Sequence, residues 1–506
     1  MLSRSKLLPS LLILSPLGLM ATEATIKMAV YQTSREGDRL TEITLPSEPE
    51  ETHPTSIQLE PSQTHQRIVG IGGSFTESAG QVLSELSSAQ QTYLLKKWFS
   101  PQGAHISLTR TPIASCDFSL RNYTYAPVPG DTELDHFSIE PDRTYLLPLI
   151  KGAQNIPGAA FKVLASPWTA PPWMKTNKTW NAGELSPEHY GTFSRYLIRY
   201  IEAYRKEGIP IWGITPVNEP FGNDGNWESM HFDAGQMQSL ITDHLGPALE
   251  KAGLKTTLWM YDQNREDLLL DWAEVLYDDP ETSRYVTGSA VHWYQSTIDI
   301  GAEILDTHKN RFPDKAILHS EGCIDAIGDD EDVGAWLEDD WYWRAEATDW
   351  GFHWAAEENK HRHPPYRPFY RYARDLVEGF NHHFVGWIDW NLILNTRGGP
   401  NHAGNFCLAP ILVDSGRDKV YLTPLYYAIA HVSKFVRPGA ARIGLKHEGP
   451  ETLRSTAFEN VDGSIVTVLF NESKASIPFA LGLEGNRTHL RIPPGAMQTI
   501  VIEPSP

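Results

Sequence analysis

Two short apolar runs in this 506-residue chain each end on a glutamate. One is Ile211-Trp212-Gly213-Ile214-Thr215-Pro216-Val217-Asn218-Glu219-Pro220; the other is Ala316-Ile317-Leu318-His319-Ser320-Glu321-Gly322-Cys323. A carboxylate at the mouth end of a buried strand is costly to desolvate, so a fold seldom places two there without a use. Paired carboxylates are what glycosidic bond cleavage requires: one acid protonates the leaving oxygen and one carboxylate meets the developing cation. Asn218, just before Glu219, carries an amide that can reach a sugar 2-hydroxyl, a contact that strengthens in the transition state. Either glutamate alone reads equally well as a strand-end ion pair. The two together are what point to chemistry.

The elements that must hold this pair repeat one rhythm from about residue 70 to 395. A short apolar run is followed by a polar or Gly/Pro-rich break and then a helix-like segment. The runs cover residues 69–73, 106–113, 161–166, 211–217, 257–261, 288–294, 316–319 and 384–390. Between them, residues 87–98, 187–206 and 233–251 carry apolar side chains three or four apart, the spacing of an amphipathic helix. Eight strand–helix units predict an α/β fold, a closed (β/α)8 barrel of the TIM type. An open doubly wound sheet is disfavoured because Gly70-Ile71-Gly72-Gly73 lacks the GxGxxG spacing of a dinucleotide turn.

Both chain ends are β-rich. The predicted strands are 26–32 and 57–59 before the barrel, then 441–445, 453–459, 464–471, 477–481 and 498–502, with Asp462-Gly463 as a hairpin signal. They predict a β-sandwich side domain built from both ends. The domain plan is therefore a signal peptide over 1–24, N-terminal sandwich strands over 25–65, the barrel over 66–428 and the C-terminal sandwich over 429–506. An acidic, tryptophan-rich insertion at 329–366 falls between the seventh and eighth strands and is expected to overhang the barrel mouth.

Composition narrows the partners. Lys+Arg 43 against Asp+Glu 63 gives a net charge of −20, with no long basic run, which argues against nucleic acid or an anionic membrane surface. The 16 tryptophans suit the flat apolar face of a sugar ring, although most tryptophans serve cores. Arg4 and Lys6 precede an apolar stretch ending near Met20, with Ala21 and Ala24 as cleavage points, so a secreted or periplasmic protein is expected. Later segments are too short or polar to span a bilayer. The three cysteines, Cys116, Cys323 and Cys407, are no disulfide framework, although an exported chain would permit one bridge, and neither a CxxC pair nor a clustered Cys/His set marks a metal.

At the C-terminal ends of the strands, where barrel enzymes keep their sites, stand Glu77, Arg110, Asp117, Trp168, Asn218, Glu219, Asp262, Asn264, His292, Tyr294, Glu321, Asp389, Trp390 and Asn391. Several of these lie in longer matching stretches: Gly70-Ile71-Gly72-Gly73-Ser74-Phe75-Thr76-Glu77, Ser115-Cys116-Asp117-Phe118-Ser119, Ala165-Ser166-Pro167-Trp168-Thr169-Ala170-Pro171, Asn218-Glu219-Pro220, His292-Trp293-Tyr294, Ser320-Glu321-Gly322-Cys323, Asp389-Trp390-Asn391-Leu392 and Gly398-Gly399-Pro400-Asn401. In this order the chain resembles glycoside hydrolase family 30, the glucosylceramidase family. The resemblance implies a retaining mechanism with Glu219 as general acid/base and Glu321 as nucleophile. It further implies that Asp117, Trp168, Asn218, Trp390 and Asn405 contact a glucosyl unit, that Arg110, His292 and Tyr294 support the carboxylates, and that Cys116 and Cys323 are unbridged thiols. The loop from Phe221 to Trp227 is shorter than in the animal members, and it and the 329–366 insertion lie where a leaving group would sit. Trp227 is accordingly read as a leaving-group contact. The resulting expectation is an exo-type β-glucoside hydrolase acting on a β-linked glucosyl saccharide or lipid, with no metal and no cofactor. An endo-β-1,6-glucanase, a β-xylosidase and, outside the class, a non-catalytic carbohydrate-binding barrel are the alternatives.

Overall fold

Every one of the eight apolar runs becomes a strand: Gly70–Ser74, Leu108–Ile113, Lys162–Pro167, Ile211–Ile214, Thr257–Asn264, Val286–His292, Ala316–Glu321 and Phe384–Asp389. In the computed structural model they pair in chain order and the eighth closes on the first, forming a parallel barrel. The structure describes residues 27–44, 54–222, 224–325 and 368–504. The N-terminal segment behind the export expectation and the 329–366 insertion lie outside the described residues. Among the described residues, no helix is long and apolar enough to cross a membrane.

Burial on both faces explains why these strands are near-continuously apolar. Inside the barrel, Leu108, Leu164, Trp259, Ala290, Leu318 and Ile388 form a separate apolar cluster, a plug beneath the mouth. On the outside the strands face helices whose apolar stripes the 3.6-residue spacing predicts, such as Ser88–Phe99 and Tyr190–Lys206. Capped by Asp233, the segment 233–251 is helical from Ala234 to Lys251 but carries a π turn, Ile241–Leu245, between two α-helical stretches.

The two chain ends share one nine-stranded sheet, the side β-sandwich. Met28–Thr33 lies antiparallel to the last strand, Met497–Ile502, and the long strand Ser56–Arg67 pairs with Ala441–Glu448 before the chain enters the barrel. Two strands escaped the sequence reading, Thr41–Ile43 and Asn486–Ile492; the latter is largely polar and exposed, so it lacks a buried alternation. Four short strands after the eighth barrel strand, from Ile393 to Leu422, were also unforeseen. Sandwich and barrel are stitched by helix Pro424–Ser433. Its buried His431 joins Thr499 Oγ1 at 2.8 Å and Thr33 Oγ1 at 2.9 Å, and burial lowers its pKa to about 3, so the ring stays neutral.

One buried knot shapes the loop after the second strand, which carries Asp117. Asp142 accepts hydrogen bonds from Tyr123 (2.9 Å), Tyr125 (2.6 Å) and Tyr204 (2.6 Å) of helix Tyr190–Lys206. Tyr123 then doubles back: its backbone N–H donates to Ser115 Oγ, two residues before Asp117, at 2.9 Å. Burial pushes the Asp142 carboxyl up to about 6, against three hydroxyls that favour its anion. Asp142→Ala strands three buried hydroxyls, each costing about 1–3 kcal/mol. We expect it to lower the unfolding free energy in denaturant by about 3 kcal/mol or more. A loss below about 1 kcal/mol would mean that the hydroxyls find other partners.

Candidate active site

Strict strand alternation would misplace two of the residues that matter here, and β-bulges correct both. In the seventh strand the pairing with the sixth slips between His319 and Glu321. Without that slip Glu321 would share the face of His319, which packs outside the barrel interior against Trp293, Phe384 and Trp387. The bulge turns Glu321 to the mouth. In the fifth strand a similar slip between Tyr261 and Gln263 frees Asp262 to point inward, while the Tyr261 ring stays against Trp272 on the outer helix.

The backbone is strained at the same place. Glu219, Tyr261 and Asp262 adopt left-handed conformations with φ of 48°, 78° and 52°. Such residues cost on the order of 1 kcal/mol or more each and persist only where surroundings hold them. Here the Glu219 N–H donates to the Asp262 carbonyl at 3.0 Å, locking the ends of strands four and five together.

Arg110 lies under the mouth with no solvent exposure and serves as the hub. Its guanidinium donates to Glu321 Oε2, to Asn218 Oδ1 at 2.7 Å and to Asp262 Oδ2 at 2.8 Å, while Nε donates to Ser166 Oγ at 3.1 Å. Its plane also lies over the rings of Trp168 and Trp390, which stack on each other at 4.8 Å. Asp262 is saturated in turn, accepting from Thr215 (2.7 Å), Ser320 (2.6 Å) and His292 Nε2 (3.0 Å) besides Arg110. Burial would raise its carboxyl, but the Arg110 charge and the His292 and Ser320 hydrogen bonds hold it well below the usual carboxylate range.

His292 spans the site, with Nδ1 3.0 Å from Glu219 Oε1 and Nε2 on Asp262. Burial lowers its pKa, yet the Glu321 charge and the two carboxylate hydrogen bonds raise it to about 9. The ring is thus an imidazolium donating from both nitrogens. Glu219, His292 and Glu321 are the described group whose ligand atoms, all within 4.8 Å of one another, have metal-binding spacing. Both ring nitrogens of His292 are already engaged by the Glu219 and Asp262 carboxylates, and Glu321 by Arg110, so in this arrangement the three side chains are committed to their neighbours.

Glu321 is 5% exposed and accepts from Tyr294 OH at 3.0 Å as well as from Arg110. Burial pushes its carboxyl up, while the His292 and Arg110 charges pull it back. Above it opens a cleft of about 480 Å3, lined by Asp117, Trp168, Asn218, Glu219, Trp227, Tyr294, Glu321, Trp390 and Asn405. Arg110 and His292 lie beneath. The structure therefore brings every sequence-selected site residue to one place. Asn218 lines the cleft with its side-chain carbonyl oxygen engaged by Arg110. Asp117 accepts from Asn405 Nδ2 at 2.9 Å through one oxygen, and its other oxygen is buried without a partner. Burial and the nearby Glu321 charge raise the Asp117 carboxyl to about 7, against the Asn405 hydrogen bond.

Other strand-end polar residues serve the scaffold. Glu77 opens helix Glu77–Ser84 and accepts from the Leu120 N–H; Asn391 accepts from Thr76; Asp389 accepts from Tyr372. The remaining cleft wall is Phe221, Gly222, Tyr261, Gln263, Asn264, Glu266, Leu268 and Cys323. Sequence reading marked Asp262 and Asn264 as strand-end residues without a role. It placed the loop of Phe221 and Gly222, and Cys323, near the site, but missed Tyr261, Gln263, Glu266 and Leu268 and the hydroxyl supports Ser166, Thr215 and Ser320, because nothing in a single Ser or Thr signals a buried acceptor nearby.

Comparison with known proteins agrees with this geometry. Residues 68–355 and 354–436 match the glycosyl hydrolase family 30 TIM-barrel domain, and residues 439–500 match that family's β-sandwich domain. The mouse lysosomal acid glucosylceramidase is 33% identical over 436 residues, spanning 84% of this chain and 79% of that protein. An endo-1,6-β-D-glucanase of Neurospora crassa is 29% identical over 493 residues, 92% of each chain. The solved endo-β1,6-glucanase BT3312 superposes with a TM-score of 0.79 at 26% identity, covering 94% of this chain and 100% of that one. With barrel and sandwich both matched in order, this protein belongs to glycosyl hydrolase family 30, a family of glycoside hydrolases.

Proposed function

We propose that this hydrolase is a retaining, exo-type β-glucosidase in which Glu321 is the nucleophile and Glu219 the general acid/base. The observation that carries the reading is the carboxylate pair itself, with oxygens within 4.8 Å across one cleft. Retaining glycosidases keep the two groups roughly 5–5.5 Å apart, whereas inverting ones leave room for a water.

Surroundings divide the roles. Glu321 is buried and held by the Arg110 guanidinium and the Tyr294 hydroxyl, contacts that suit an attacking carboxylate. Glu219 lies more open to the cleft and is oriented by His292, a position that suits proton exchange with a leaving oxygen and with water. Glu321 attacks the anomeric carbon as Glu219 protonates the departing oxygen, giving a glycosyl ester on Glu321. Glu219, now ionised, takes a proton from the water that attacks the same carbon, and the Glu321 ester bond breaks.

Asp117, Trp168, Asn218, Trp390 and Asn405 take the glucosyl unit; the unpartnered Asp117 oxygen suits a sugar hydroxyl. On the leaving-group side, Trp227 and Phe221 offer aromatic faces beside the polar Gln263, Asn264 and Glu266. That mixture favours a saccharide leaving group over a purely apolar one. A second reading, endo-β-1,6-glucanase action, draws on the fungal relative, which this chain matches over nearly its full length.

Glu321→Gln should abolish turnover, whereas Glu219→Ala should still attack aryl β-glucosides whose leaving groups need no proton. Azide, a nucleophile that needs no base, should partly rescue Glu219→Ala and yield a β-glycosyl azide. Equal losses in both variants, with rescue of neither, would refute the roles. Trp227→Ala should depress kcat/KM several-fold for a β-linked gluco-oligosaccharide, as expected from about 1 kcal/mol of stacking, and spare a small aryl β-glucoside. Equal losses on both substrates would make Trp227 a structural residue.

A further inference from the structure

Cys323 and Cys407, 84 positions apart in the chain, come together with their sulfurs 3.2 Å from each other. Neither is in a disulfide in the structure. They sit on the short antiparallel pair formed by Ile324–Asp325 and Cys407–Leu408, in which Asp325 faces Cys407. Cys323 lines the cleft two residues after Glu321, and its sulfur lies 3.4 Å from the Tyr294 hydroxyl that donates to Glu321. Cys407 is two residues after Asn405, the partner of Asp117. The two thiols therefore join, side by side, the segment that follows Glu321 and the segment that follows Asn405.

We propose that Cys323 and Cys407 are an oxidisable pair that closes to a disulfide and staples the nucleophile's loop to the Asn405 loop. A bonded pair needs sulfurs about 2.05 Å apart, so closure requires a shift of roughly 1 Å, within reach of side-chain rotation. Hydrogen peroxide is a sufficient oxidant and is small enough to enter the cleft. The Cys323 sulfur attacks one peroxide oxygen, the O–O bond breaks, and water leaves behind a sulfenic acid. The Cys407 sulfur then displaces that hydroxyl, which departs as a second water with the remaining thiol proton, and the S–S bond forms. Cys116 is a built-in control: it is buried like the pair, but its sulfur accepts from the Ser119 hydroxyl and does not meet a second thiol.

The test treats the folded protein with a few equivalents of hydrogen peroxide, then alkylates it in denaturant and maps the peptides. The count of alkylated cysteines should fall from three to one, leaving Cys116, with a Cys323–Cys407 linked peptide. Because the loop closed is long, the thermal midpoint should rise by on the order of a few degrees, and dithiothreitol should reverse the rise. Cys407→Ala should show neither the link nor the shift. Three alkylated cysteines after treatment, an oxygenated Cys323 without a linked peptide, or a link with no thermal shift would each overturn the proposal. So would an unchanged peroxide response in Cys407→Ala.

Discussion

A buried guanidinium organises this active site. Placing Arg110 in the barrel interior is expensive unless every donor is used and every nearby charge is matched. The fold meets that demand with acceptors from four other strands or strand ends: Ser166, Asn218, Asp262 and Glu321. Lysine could not replace it, because a point charge lacks the planar fork that reaches these acceptors at once. Once Arg110 is held, Glu321 and Asn218 are held with it, and the stacked Trp168 and Trp390 rings pack under its plane. Asp262 then carries the constraint across to His292, and His292 to Glu219.

The same network explains where the backbone departs from regularity. Two bulges and three left-handed residues gather within the reach of Arg110 and His292, at the ends of strands four, five and seven. A regular barrel would have sent Asp262 and Glu321 outward to the helices. The buried ion pairs and hydrogen bonds hold the irregular geometry in place, and the apolar plug below gives them a rigid base.

Much of this was legible in the chain. Eight apolar runs announced the barrel because parallel strands buried on both faces leave a strong, unbroken signal. Glu219 and Glu321 were legible because a carboxylate at the end of such a run is chemically conspicuous. Asp262 was visible but mute: a carboxylate following Met260-Tyr261 cannot show that it will accept four hydrogen bonds. Ser166, Thr215 and Ser320 were illegible, since their value depends wholly on register. Strand Asn486–Ile492 was hidden by its polar, exposed edge position, and the nearness of Cys323 to Cys407 by the long stretch of chain between them.

The most direct test of the account is the stereochemistry of the first product. Proton NMR of an aryl β-glucoside digest, read before mutarotation, reports which anomer leaves the enzyme. Two carboxylates at this separation, with Glu321 fixed by Arg110 and Tyr294, predict that β-glucose appears first and α-glucose grows in only later. An initial α-anomer would mean that water attacks directly from the opposite face, and the nucleophile assigned to Glu321 would be wrong.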